Sequence, residues 1–205
     1  MALISLIILL LFNTLSDFQI ISRTEVVVFN LPGRTLVALT IGSETYWITS
    51  PNSGTMERLN YYIKPYEGYR EIKKSTVVYL SEPLKVETDN LLCINNFMNF
   101  KGIRIYLHDA GSMKESEWKK FPTVDLFLIS EKSKTDPETV KRHLPSSEIV
   151  DCRILNNRSE GTGDQEKYSN KFPFLKTSVG VAVQITIGQN NNGQNKIRWS
   201  GYFGH

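Results

Sequence analysis

Residues 124–129, VDLFLI, form a nearly continuous apolar run. A strand with one wet face alternates apolar and polar residues; an unbroken run fits a strand covered on both faces. The next twenty-five residues constrain the connection. Residues 130–135 have the composition of a loop, and Thr135 or Asp136 is placed to cap a helix. Pro137 falls in the first turn and Glu138 is favourable against the helix dipole. Leu144 followed by Pro145 keeps that helix short. Residues 149–155 then supply a second strand. The pattern predicts a strand–helix–strand unit, right-handed if its strands are parallel, on which the rest of the chain packs.

The flanking sequence supplies more strands than helices. Residues 25–30 (EVVVFN), 35–41 (TLVALTI) and 45–49 (TYWIT) are separated by short turn-like links and predict an antiparallel meander. Residues 55–63 predict a short helix with Met56, Leu59 and Ile63 on one stripe, ended by Pro65. Residues 76–80 and 91–94 are strand-like around a polar link. Residues 97–100 and 103–107 flank Lys101 and Gly102, a good two-residue hairpin turn. Residues 114–120 hold a helical turn or two, and residues 179–187 alternate as a closing strand. Residues 156–171 have surface-loop composition. The Asn- and Gly-rich residues 189–205 are expected to be disordered. The fold class is therefore α/β in the broad α+β sense, a mixed β-sheet with short helices.

Residues 2–11 are apolar apart from Ser5, and the run continues with interruptions to Ile21. No Lys or Arg precedes it and no small-residue cleavage site comes after it, which argues against a secretory signal. A complete membrane helix needs about 20 apolar residues, and this run is short and carries Asp17. The third reading, and the expectation adopted, is that residues 1–22 are the end of the last membrane helix of a longer protein. Residues 23–188 then form a soluble domain. In a chain of 205 residues with 40% hydrophobic and 22% charged content, one such domain is ordinary. The net charge of +3 comes from interleaved Lys, Arg, Asp and Glu, so no strongly basic face is implied.

Candidate chemistry is sparse. There is no phosphate-binding loop, nucleophile elbow, zinc-protease helix or dinucleotide fingerprint. Three histidines, His108, His143 and His205, share no metal-ligand spacing. His108 and Asp109 come after an apolar strand, where a ligand or an acid–base pair could sit; a partly solvated strand-end histidine is the plainer alternative. His143 sits where a histidine favours a helix C-terminus. Cys93 and Cys152 lie in apolar runs and are expected to be buried free thiols; a disulfide between them is open. Residues 58–74 interleave Tyr with Lys and Arg, so Arg58, Lys64, Tyr66, Tyr69 and Arg70 are candidate contacts for single-stranded DNA, rings on bases and cations on phosphates. The plainer alternative is a surface helix whose tyrosines cover the sheet.

The order of phrases VVVFNLPGRTLVALTIGSETYWITSP, YYIKP, FMNFKGIRIYLHDAG, VDLFLISEKSK and SVGVAVQITI resembles the C-terminal region of ComEC-type competence proteins, in their Bacteroidetes-like form. The resemblance runs from the apolar start to about Gly188. It implies an inner-membrane channel that passes one strand of incoming DNA, whose last membrane helix leads into a soluble region related to the metallo-β-lactamase fold. Metal-binding members carry a DVGQGD-like phrase where this chain has Asn30, Leu31, Pro32, Gly33, Arg34 and Thr35. Where they carry H-x-H-x-D-H, residues 51–74 hold neither His nor Asp. Their T-G-D falls at Leu107, His108, Asp109, Ala110 and Gly111, and their S-H-H-G at Ser130, Glu131, Lys132 and Ser133. A di-metal hydrolase needs several converging ligands. The resemblance therefore implies a degenerate, non-catalytic domain without metal or cofactor, located at the bacterial inner membrane. Its partners would be single-stranded DNA, the membrane and the remaining channel portion. The alternatives are a membrane-anchored remnant hydrolase using His108 and Asp109, and an anchored adhesion or scaffold domain.

Overall fold

The computed structural model describes residues 4, 5, 7, 23–31, 34–49, 56–80, 85–109, 111–130, 132–152, 175–176, 182–189 and 195–203. The expected membrane helix over residues 1–22, the loop over residues 156–171 and His205 lie wholly or largely outside them. Among the described residues no helix is long and apolar enough to cross a membrane.

Two mixed sheets carry the fold. The first contains β1 (Thr24–Leu31), β2 (Arg34–Ile41), β3 (Glu44–Thr49), β4 (Lys74–Tyr79), β12 (Ala182–Gln189) and β13 (Asn195–Phe203), in the order β13-β12-β1-β2-β3-β4. The second contains β5 (Lys85–Glu87), β6 (Leu91–Ile94), β7 (Phe97–Phe100), β8 (Ile103–His108), β9 (Leu126–Ile129), β10 (Glu148–Asp151) and β11 (Leu175–Lys176), in the order β11-β10-β9-β8-β7-β6-β5. Strands β5 to β8 are antiparallel neighbours, and β8, β9, β10 and β11 run parallel. Among the described residues three helices with defined bounds pack on these sheets: α1 (Met56–Arg70), α2 (Glu115–Trp118) and α3 (Pro137–His143).

The apolar runs are explained by the layering. In β1, Val26 and Val28 join the core between the sheets, with Leu39, Ile48, Phe100, Ile105 and Leu128. Val27 points the other way, to Leu36, Trp47 and the α1 residues Leu59 and Ile63. In β9, Leu126 and Leu128 face the central core, while Phe127 and Ile129 pack with Trp118 and Val140 from α2 and α3. Successive side chains on a strand face opposite ways, so a strand with a sheet on one side and a helix on the other is apolar at every position. The layers run helix, sheet, sheet, helix.

The predicted strand–helix–strand order is present, with its second strand at Glu148–Asp151; residues 153–155 of the predicted strand lie outside the described residues. β9 and β10 are parallel, with Leu126 opposite Glu148. Between them Asp136 caps α3 by accepting from the Thr139 N–H at 3.2 Å, and Pro137 opens the helix. The hairpin at Lys101 and Gly102 is also present, with positive φ at both residues (50° and 81°), as a two-residue turn between right-twisted strands requires.

Three expectations are corrected. Pro65 does not end the helix; α1 continues to Arg70. The bond that a proline cannot donate would have gone to the carbonyl of Tyr61, on the exposed side of the helix, where water can serve it. Meanwhile Leu59, Ile63 and Tyr66, all buried, hold the opposite face to the sheet on both sides of the proline. The polar link after β4 contains a further short strand, β5, at the edge of the second sheet. The tail expected to be disordered contains β13, paired antiparallel with β12, with Ile197 opposite Ile187 and Trp199 opposite Ile185.

Candidate functional site

Helix α1 carries the DNA contacts anticipated from sequence, and its 3.6-residue period separates them. Lys64 and Tyr69 point outward, as does Tyr61, which is 76% exposed. The side chain of Arg58 is not among the described ones. Tyr66 is only 8% exposed. Its ring packs edge-on against Trp47 at 5.2 Å and Phe29 at 5.6 Å. A ring enclosed in this way has no face left for a base, so Tyr66 is withdrawn from the contact surface.

Arg70 is withdrawn for a related reason. Its guanidinium Nε lies 3.1 Å from Oε1 of Glu25, a carboxylate almost wholly buried on β1. Glu25 also accepts from the Tyr66 hydroxyl at 2.8 Å and from Gln184 Nε2 at 2.5 Å. Thr40 joins the Tyr66 hydroxyl at 2.8 Å and Thr45 at 2.9 Å. Arg23 closes the group by donating to the Arg70 carbonyl at 3.0 Å. Burial and the neighbouring Glu25 charge push the Tyr66 phenol far above its ordinary range. This network ties α1 to β1, β2, β3 and β12.

The second region is the C-terminal edge of the parallel strands β8, β9 and β10, where open α/β sheets tend to place their sites. His108 ends β8 and is 4% exposed. Its Nε2 lies 2.8 Å from the Gly111 carbonyl and 2.9 Å from the Thr135 hydroxyl. A carbonyl can only accept, so Nε2 carries the proton, and Nδ1 is a bare, buried acceptor without a hydrogen-bond partner among the described residues. Burial lowers the His108 pKa, against smaller opposing effects of the Gly111 carbonyl, Asp109 and Glu117. The imidazole is therefore neutral and clamps the loop after β8 to the one before α3. Asp109 accepts from the Ser130 hydroxyl at 2.5 Å. The backbone N–H of Lys132 donates to the same Ser130 oxygen at 3.3 Å.

This arrangement is not that of a nucleophilic relay. In such a relay the imidazole stands between hydroxyl and carboxylate. Here the carboxylate accepts the Ser130 hydrogen bond directly and the imidazole serves Thr135 and Gly111. Among the described residues no three His, Cys, Asp or Glu side chains converge on a point that could hold a metal ion. His143, at the end of α3, stacks on Trp118 at 5.0 Å and lies 3.5 Å from Glu115, a packing role. Cys93 and Cys152 are both buried free thiols.

Beside this edge, on the helix-covered face, a half-open cavity of about 400 Å³ is lined by Phe97, Tyr106, Met113 and Phe121, with His108, Glu117 and Lys120 among its polar neighbours. Phe97 and Tyr106 are cross-strand partners on β7 and β8, with ring centroids 4.5 Å apart. Phe121, from the segment after α2, sits 4.8 Å from Tyr106, edge to face. Sequence reasoning missed this cavity, although the turn at Lys101 and Gly102 already sets Phe97 opposite Tyr106.

The model of the ComEC C-terminal domain family matches residues 26–162. The chain belongs to that family. Membership associates it with DNA uptake in competence. No curated protein and no solved structure matches the chain. In this ComEC C-terminal domain the two mapped stretches that keep polar residues, 107–111 and 130–133, meet in space through the Asp109–Ser130 hydrogen bond. Among the described residues, this corner of the sheet brings together the Asp109 carboxylate, the His108 imidazole and the hydroxyls of Ser130, Ser133 and Thr135.

Proposed function

We propose that this is a non-catalytic C-terminal domain of a ComEC-type inner-membrane channel for DNA uptake, descended from a metallo-β-lactamase-like hydrolase whose ligands it no longer carries. The observation that supports it most is the chemistry of the Asp109 corner. Asp109, the carboxylate at the position of the family's T-G-D, is engaged by the Ser130 hydroxyl, and the adjacent histidine is engaged by Gly111 and Thr135. Neither presents the paired, convergent donors that two-metal hydrolysis requires. The helix–sheet–sheet–helix layering agrees with the proposed ancestry.

The alternative, a remnant hydrolase using His108 and Asp109, loses support from the same contacts. In this reading the domain handles a strand of DNA without cutting it, beside the membrane portion of the channel. Weak binding suits that task, since the strand must move on. Of the residues anticipated on α1, Lys64 and Tyr69 keep outward-facing side chains, although Lys64 is within 3.6 Å of Glu67.

The test is metal content and nuclease activity on purified protein. The expected result is zinc and manganese well below one equivalent, and single- and double-stranded DNA left intact with added Mn²⁺. Stoichiometric metal, with cleavage lost in both Asp109→Ala and His108→Ala, would overturn the proposal in favour of the hydrolase.

A further inference from the structure

We propose that the aromatic cavity beside α2 receives one unstacked base of single-stranded DNA, with Lys120 at its rim meeting the backbone phosphate. This rests on the DNA-uptake reading above and moves the contact from α1 to the opposite face of the molecule.

The walls suit a flat ring system. Phe97, Tyr106 and Phe121 come from β7, β8 and the segment after α2, and each is only partly buried. Phe97 and Phe121 lie 5.4 Å apart with their planes at 39°, and Tyr106 has His108 beside it along β8, near parallel at 23° and 6.0 Å. The rings are thus fixed by one another and by a sheet before any ligand arrives. The volume, about 400 Å³, stands at the small end of the range for ligand pockets, roughly 300–1,000 Å³. It fits one base better than an extended chain. Aromatic walls accept any base, because every base has a π-face.

The rim supplies modest positive charge. Residues 112–122 carry Lys114, Lys119 and Lys120 against Glu115 and Glu117. Lys119 and Lys120 are exposed and make no ion pair among the described residues. Glu117, which lines the cavity, is turned to the start of α2, where it accepts from the Lys114 N–H at 2.5 Å. With so little net charge, affinity comes from stacking more than from phosphate contacts. Neutralising one or two phosphates of a single strand gives a log–log salt slope no steeper than about −1.5.

The experiment titrates the 205-residue chain, in detergent, into fluorescently labelled oligo-dT and into an abasic strand of equal length and charge. Binding to oligo-dT roughly tenfold tighter than to the abasic strand is expected, the size of one stacked base. Phe121→Ala should remove that difference. In case Phe121→Ala disturbs folding, photo-crosslinking of 5-iododeoxyuridine strands to the unmodified protein gives an independent reading, with adducts expected at Phe97, Tyr106 or Phe121. Equal affinity for the two strands, or adducts confined to Tyr61 and Tyr69 on α1, would overturn the cavity proposal and leave the DNA-uptake reading standing. No measurable binding of either strand at low salt would overturn both.

Discussion

Replacing Glu25 by alanine should be among the most damaging single changes in the domain. The Glu25 side chain is 2% exposed and sits opposite the Arg70 guanidinium, whose side chain is 12% exposed. Removing one member of a buried pair leaves the other charge without compensation, at a cost of about 3–5 kcal/mol. Two features reduce this toward the lower figure. Tyr66 keeps Thr40 as a hydrogen-bond partner, and Gln184, half-buried, can turn to water. A loss of about 3 kcal/mol is therefore expected, enough to threaten a domain of ordinary stability. Urea denaturation followed by tryptophan fluorescence is a suitable assay, because Trp47 packs on Tyr66 and donates to Glu67 at 3.3 Å. Removing both charges in Glu25→Ala with Arg70→Met should restore part of the loss, with a coupling of at least about 1.5 kcal/mol. A Glu25→Ala variant within about 0.5 kcal/mol of the parent, the effect of a neutral surface change, would refute the network as the anchor of α1.

Two more outcomes concern buried titratable groups. Because burial depresses the His108 pKa, the unfolded chain binds that proton before the folded one does. The contribution is full above the ordinary histidine range and is lost as pH falls through it, with a slope of at most about 1.4 kcal/mol per pH unit. Denaturation midpoints between pH 5 and 8, a range chosen roughly around the histidine pKa, should show this slope in the parent and lack it in His108→Asn; parallel profiles would show that His108 is not its source. The Cys93 thiol is pushed up to about 11 by burial, and a thiol reacts as its thiolate. Native protein should therefore resist a disulfide reagent at mildly alkaline pH and react when urea is added; rapid labelling of native Cys93, located by peptide mapping, would contradict its burial.

The central strands were legible because a run such as residues 124–129 has only one economical explanation, cover on both faces. The cap at Asp136 and the turn at Lys101 and Gly102 were legible because each depends on local geometry alone. Tyr66 and Arg70 were misplaced because a sequence that interleaves rings and cations does not state which side of a helix faces the sheet. That is decided by Leu59 and Ile63, which set the buried stripe, and by Glu25, whose partner lies 45 residues away. β13 was missed because the Asn-rich composition of residues 189–194 outweighed the strand-like KIRWSGYF after it. The Ser130–Asp109 contact was hidden for another reason. It joins the ends of two parallel strands, and no spacing within one strand reveals it.

The pairing of β1 with β12 also governs when the protein can fold during synthesis. Val27 on β1 stands opposite Gln184 on β12, so the second strand of that pair emerges from the ribosome long after the first. Until then β1 has β2 on one side and an unsatisfied row of amides and carbonyls on the other. Contacts this distant in sequence form slowly. A nascent chain halted before residue 182 would therefore present an open strand edge to its neighbours, and chains stalled there are the ones expected to aggregate or to recruit a chaperone.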